Sequence, residues 1–283
     1  MSAKASARFA TVGLILGPYR NLTTLSASIL SLHPRCQVLN HAGGRLLRGR
    51  RDFLRRFTDG RLDRFCRAAL AASAEGRRGD FGGSIVFSHA FDRPELRDAY
   101  HARYGDITVK EGATSLVWKE SQLVTNRIRT APTTIDELVT KTERLRFLMP
   151  VRNPVDCALS NVRTGHAKRI PGVDPEDVVD VLGAVVEELG WFARLARRYP
   201  DRFLLFFQDE RPEGVCDGFL SLLELPDDEQ WRSAVSQVFD TTGTPYEHPV
   251  ELLEACDQAT RRHLSDLPDV ARHVSSLVHV GSG

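Results

Sequence analysis

Lysine is scarce in this chain: of 38 basic residues only Lys4, Lys110, Lys119, Lys141 and Lys168 are lysines, the rest being arginine. A lone arginine therefore says little here, and a lysine says somewhat more. With 37 acidic residues the net charge is only +1, which excludes the broad positive field that draws a protein to nucleic acid or to a membrane surface. Cysteines are few and odd in number, Cys36, Cys66, Cys157, Cys216 and Cys256, with no C-x-x-C pair. That argues against a disulfide framework and for reduced thiols in a cytoplasm. No stretch approaches the ~20 apolar residues of a membrane span. The apolar run after Lys4 and Arg8 is only about eight residues long and no small-residue cleavage site follows before Arg20, so a secretory leader is not expected. Neither a repeat nor a sharp change of composition divides the chain, and a single domain over 1–283 is expected.

What is present is organised around Phe9–Pro34, FATVGLILGPYRNLTTLSASILSLHP. Phe9–Leu16 is a short apolar run closed by Gly17-Pro18 and reads as a buried strand of a parallel sheet. From Thr23 the spacing becomes helical, with Leu25, Ile29 and Leu32 as a stripe and His33-Pro34 as the stop. A loop from strand into helix N-terminus directs unpaired N–H groups and the positive end of the helix dipole at one point, where a phosphate binds. Arg20 adds a planar fork of donors there, and Thr23 and Thr24 add hydroxyls.

The kind of phosphate loop follows from two further absences. A nucleoside-triphosphatase loop needs Gly-Lys-Ser/Thr at the helix start, and four residues after Gly17 the chain has Leu22, Thr23 and Thr24. A dinucleotide fingerprint needs three closely spaced glycines, and only Gly17 is there. A basic residue followed by Thr-Thr-Leu, as in R-S-G-T-T-L, does fit. In this the chain resembles the sulfotransferases that use 3′-phosphoadenosine-5′-phosphosulfate (PAPS), and it is closer to their bacterial, glycan and protein-tyrosine branches than to the cytosolic small-molecule branch. Here Asn21 replaces the family's Ser and Leu22 its Gly.

The second matching stretch is Leu145–Ser160, LRFLMPVRNPVDCALS. Its strand ends at Arg152, Asn153 suits a helix cap and Pro154 the first helical position, and Ser160 lies about two turns on. Arg152, Pro154, Asp156 and Ser160 match the family's 3′-phosphate element, R-x-P-x-D-x-x-x-S. The resemblance implies that Arg20, Asn21, Leu22, Thr23, Thr24 and Leu25 hold the 5′-phosphosulfate and that Arg152 and Ser160 hold the 3′-phosphate. In related branches a helix ending in His-Pro is soon followed by a Glu that acts as the base; here that place falls to His41, after the candidate strand Cys36–Leu39. An imidazole suits proton removal at neutral pH. A loop histidine without a chemical role is the other reading. Ser88-His89, at the end of an expected strand from Ser84, is the rival base. Lys119 closes the strand expected within Thr114–Ser121, where many relatives have Lys-x-Pro; the resemblance gives it, with Arg20, the charge building on the leaving phosphate.

Arg45–Arg78 carries apolar residues at helical spacing and reads as an amphipathic helix pair, either with a solvated charged face or as a wall that attracts an anionic acceptor. Glu75–Gly83 reads as a loop. A long helix is expected through Val178, Leu182, Val185, Leu189, Phe192 and Leu195, ended by Pro200, then a last strand Arg202–Phe207, with helices over Phe219–Leu225 and Pro249–Leu267. Gln208, Asp209 and Glu210 receive no chemistry, and His263, His273 and His279 lack metal-ligand spacing.

The expected fold is α/β: a three-layer parallel sheet of about four or five strands flanked by helices, of the P-loop nucleotide-binding type, with a helical Arg-rich insert. The implied activity is sulfuryl transfer from PAPS to a hydroxyl or amine of a small-molecule, glycan or peptide acceptor, without a metal, leaving adenosine 3′,5′-bisphosphate (PAP). A non-catalytic nucleotide-binding relative and a kinase-like phosphoryl transferase are the alternatives.

Overall fold

A computed structural model describes residues 8–76, 82–240 and 246–279. The strands are β1 (Thr11–Ile15), β2 (Cys36–Asn40), β3 (Gly83–Ser84), β4 (Ser115–Lys119), β5 (Leu145–Val151) and β6 (Phe203–Phe207). The helices are α1 (Thr23–Ser31), α2 (Gly43–Leu46), α3 (Asp59–Ala74), α4 (Pro94–Tyr104), α5 (Gln122–Thr130) and α6 (Ile135–Lys141), then α7 (Pro154–Arg163), α8 (Val178–Arg198), α9 (Pro212–Leu223), α10 (Glu229–Val238), α11 (Val250–His263) and α12 (Pro268–His279). The sheet runs β3-β2-β4-β1-β5-β6, and every pair is parallel except β2 with β3.

The strands are apolar throughout because both faces are covered, and alternate residues enter opposite cores. Leu14, Trp118, Phe147 and Met149 face one core with Phe53, Phe65 and Phe192. Ile15, Val38, Val117 and Leu148 face the other with Ile29, Phe219 and Trp231. This three-layer α/β arrangement agrees with the expectation. No described helix is long and apolar enough to cross a membrane.

The structure corrects the sequence analysis at one edge. Ser84–His89 is not a strand: β3 stops at Ser84, and Ile85–Phe87 and His89–Asp92 are 3-10 turns. The Ser84 hydroxyl accepts from Val86 N at 3.4 Å, which stabilises a turn in place of a ladder, and Ile85 is buried in the core beside α1. The sheet thus has six strands, one of them a short antiparallel edge. Arg45–Arg78 is likewise not a helix pair. Before α3 there is a single turn, α2, and a 3-10 turn at Gly49–Arg51, where Gly49 has φ +55°. Phe53, Leu54 and Phe57 are buried from non-helical backbone, with Asp52 Oδ1 accepting from Arg55 N at 3.0 Å. Thr58 then caps α3. Glu75–Gly83 extends over 77–81, outside the described residues. Helices α4, α5, α6, α10 and α12 occupy stretches to which the sequence analysis assigned no element.

All five cysteines are buried thiols. Burial pushes Cys36, Cys66, Cys157 and Cys216 up to about 12 and Cys256 to about 11. It pulls Lys110 down to about 7 and Lys119 to about 8. Lys110 is held by the carbonyls of Ser31, His33 and Cys36, which run from the end of α1 to the start of β2. The two groups act on stability in opposite senses. Between pH 7 and ~10.4 the unfolded lysines keep protons that the folded ones release, so stability rises with pH; above ~8.5 the unfolded thiols lose protons that the folded ones keep, so it falls. Five thiols outweigh two lysines, and the melting temperature is expected to peak near pH 8.5–9 and drop on the order of 10 °C by pH 10.5. Calorimetric scans across that range test this; a flat curve from pH 8.5 to 10.5 would show the thiols to be open to water.

Candidate functional site

The parallel register aligns the carboxyl ends of three strands, with Lys119 flanked by Ile15 on β1 and Asn40 on β2. Side chains that do chemistry in open α/β sheets collect at this edge.

After β1 the chain turns at Gly17, with φ +103° and a Cβ position 3.1 Å from Met149 Cγ. Gly17 N donates to Thr125 Oγ1 at 3.0 Å. Arg20 and Leu22 then adopt left-handed backbone, φ +63° and +57°, which costs a non-glycine residue about 1–2 kcal/mol. Bonds on either side hold it. The Tyr19 carbonyl accepts from Asn161 Nδ2 at 2.7 Å. Asn21, nearly fully buried, donates from Nδ2 to the Pro150 carbonyl at 2.5 Å and accepts at Oδ1 from Arg152 N at 2.8 Å. Helix α1 starts with no capping side chain and no acidic residue in its first turn, so its first N–H groups stay available to an anion.

After β2, His41 and Ala42 are also left-handed, φ +55° and +73°. His41 N donates to the Lys119 carbonyl at 2.8 Å, and Trp118 Nε1 donates to the His41 carbonyl at 2.8 Å. These bonds fix the imidazole between two charged groups. His41 Nε2 lies 3.2 Å from Lys119 Nζ, and Nδ1 lies 3.5 Å from Glu120 Oε1. Glu120 is fully buried, and its Oε2 accepts from Gly43 N at 2.7 Å. Lys119 is 4% exposed; burial lowers its pKa to about 8, Glu120 opposing and Arg20 adding. Ser121, the next residue, has φ +56°. Of the six described non-glycine residues with positive φ, Arg20, Leu22, His41, Ala42 and Ser121 lie on these three strand-end loops. Strain of this kind, of order 1–3 kcal/mol per residue, gathers where geometry serves function.

A cavity of about 310 Å³ opens over this edge. Among the residues singled out from sequence, Arg20, Thr23, Thr24, His41, His89 and Lys119 line it. Asn21, Leu22, Leu25, Arg152 and Ser160 do not. Asn21 is a pin between two loops. Leu25 packs against the core beside α1. Ser160 is fully buried and accepts from Arg20 Nε at 2.9 Å, so the first loop and α7 meet. Arg152 is nearly buried and turned to Asp156 Oδ2 at 3.2 Å, with the Tyr246 ring 5.7 Å away. The other oxygen of Asp156 lies 2.7 Å from His248 Nε2. Asn153 caps α7 as its sequence suggests, accepting from Val155 N at 2.9 Å.

Four residues of the site carried no role in the sequence analysis. Glu120 directly follows the strand-end Lys119, and a carboxylate at a strand end was the available signal. Tyr19, His166 and Arg169 complete the cavity lining; the turn holding the last two shows no motif, and only the packing of α7 brings it here. Among the described residues no group of three or more His, Cys, Asp or Glu side chains could hold a metal ion. No protein-family model matches this chain, and no curated protein matches it.

Proposed function

We propose that the chain is a P-loop-type PAPS-dependent sulfotransferase, transferring a sulfuryl group to a hydroxyl or amine and releasing PAP. The observation that carries this reading is the meeting of two anion-binding crossovers beside a His-Lys-Glu cluster: Arg20 Nε on Ser160 Oγ at 2.9 Å, with Asn21 bonded to the backbone of Arg152. In this reading the N–H groups opening α1, with Arg20, Thr23 and Thr24, receive the 5′-phosphosulfate. Arg152 takes the 3′-phosphate in exchange for Asp156. The Arg-rich insert is Arg45–Arg78, of which α3 lies beside β2.

Glu120 fixes the His41 tautomer with Nδ1–H towards the carboxylate, which leaves the Nε2 lone pair for the acceptor. The acceptor's O–H or N–H replaces Lys119 as the donor to Nε2 and its proton passes to the imidazole. As the new bond to sulfur forms, the bond from sulfur to the bridging oxygen breaks, and that electron pair stays on the 5′-phosphate of PAP. Lys119 and Arg20 face the charge that develops there. Positioning and electrostatics supply the rate, as in related phosphoryl transfers.

A non-catalytic nucleotide-binding role is the second reading, favoured by the engagement of Arg152 with Asp156 and Tyr246. Thermal shift separates the donor reading from a kinase-like one. PAP at a hundred times its Kd should stabilise by about 2.7 kcal/mol, a rise of roughly 5 °C or more, and magnesium-ATP should not. A rise with magnesium-ATP alone would replace the proposal; transfer of labelled sulfate from PAPS to a cell extract then separates enzyme from binder.

A further inference from the structure

Most buried or half-buried arginines of this protein are matched by a carboxylate, as Arg127 is by Asp52, Arg144 by Asp63 and Arg152 by Asp156. Arg169 is an exposed arginine that lines the cavity, and no described carboxylate lies within ion-pair distance of it. Its turn, His166–Arg169, is anchored by the buried Ala167 and by Ile170 and by Asn126 Nδ2 donating to the Arg169 carbonyl at 2.9 Å. His166 is oriented by Thr164 Oγ1, 2.7 Å from its Nδ1, and its ring lies 5.1 Å from that of Tyr19. The Arg169 backbone and the His166 ring are thus held in place at the cavity wall.

The charges sum in one direction. Arg20, Lys119 and Arg169 all line the cavity, and among the described residues no Asp or Glu does, since Glu120 is wholly buried behind His41. Burial, then Arg20, Arg169, Lys119 and His41, push the His166 imidazole down, as expected where Arg20, Arg169 and Lys119 surround it across a small space. A cavity walled by one sign of charge concentrates ligands of the other sign. If the phosphosulfate is met by Arg20, Lys119 and the start of α1, the Arg169 charge remains for the other reactant.

We propose that Arg169 forms an anion-recognising subsite for the acceptor, with His166 as its wall, so that the molecule sulfurylated carries a carboxylate, sulfate or phosphate group beside its reacting hydroxyl or amine. This rests on the donor reading above. The guanidinium fork meets such a group with two parallel N–H bonds.

The test is calorimetric binding to the PAP-saturated protein of matched pairs: 4-hydroxyphenylacetate against 4-hydroxyphenylethanol, and glucuronate against glucose. The anionic member of at least one pair is expected to bind about tenfold or more tightly, a difference that Arg169→Ala removes and Arg169→Lys partly restores. PAP affinity in Arg169→Ala should stay within about twofold of wild type. Equal binding of charged and neutral members, absence of binding included, would overturn the subsite. So would a tenfold loss of PAP affinity in Arg169→Ala, which would assign Arg169 to the donor. Failure of PAP to bind wild type strikes the donor reading instead; the pairs titrated into PAP-free protein then report on the subsite alone.

Discussion

Substitution of His41 by alanine is expected to lower sulfate transfer by about 10²–10⁴, the usual contribution of a positioned general base, with PAP binding kept. Alanine suits the site as a probe because the bonds that hold the backbone at residue 41 do not involve the imidazole: N to the Lys119 carbonyl and O to Trp118 Nε1. The left-handed φ is already borne by a non-glycine residue. The fold should therefore persist, and the loss report on the imidazole. Steady-state transfer from labelled PAPS checks it, and His89→Ala, tested beside it, decides between the two candidate bases, both of which line the cavity. If His89→Ala is the dead variant and His41→Ala the active one, the assignment of the base reverses. The wild-type rate should also fall as pH rises through about 8, where Lys119 gives up its proton and the leaving phosphate loses its cation. That limb should vanish in Lys119→Met, at a much lower rate throughout.

The second large effect belongs to stability. Asn21→Ala removes both partners of a buried seam, stranding the Pro150 carbonyl and the Arg152 N–H. Each unpaired buried group costs about 1–3 kcal/mol, so a loss of about 2–4 kcal/mol and a fall in melting temperature on the order of 5–10 °C are expected. Asn21→Asp keeps an acceptor for Arg152 N and loses the donor to Pro150, so its cost should be lower at that bond. PAP affinity should fall with stability in Asn21→Ala, because the same two bonds hold the first loop against the β5–α7 turn. A melting temperature unchanged to within a degree would show that water or a rearranged loop replaces the seam.

The sequence resemblance assigned Asn21 to the nucleotide, whereas the fold uses its side chain to join two loops. Ser160, on α7 and implied by the resemblance to meet a phosphate, is buried beneath Arg20 as its acceptor. In both cases residue type was legible and the partner within the fold was not, because a short polar side chain can be met from more than one side.

By itself the sequence determined the layered α/β plan, five of the six strands and the strand-end positions of Arg20, His41 and Lys119. Apolar runs of strand length and caps such as Asn153-Pro154 are local signals, and they survive whatever packs around them. Only tertiary structure decided that Ser84–His89 turns away from the sheet, that Glu120 stands behind His41, and that Arg169 and His166 reach the cavity. Those outcomes depend on contacts between residues tens of positions apart, and no periodicity in the chain records which neighbour a side chain will meet once the layers close.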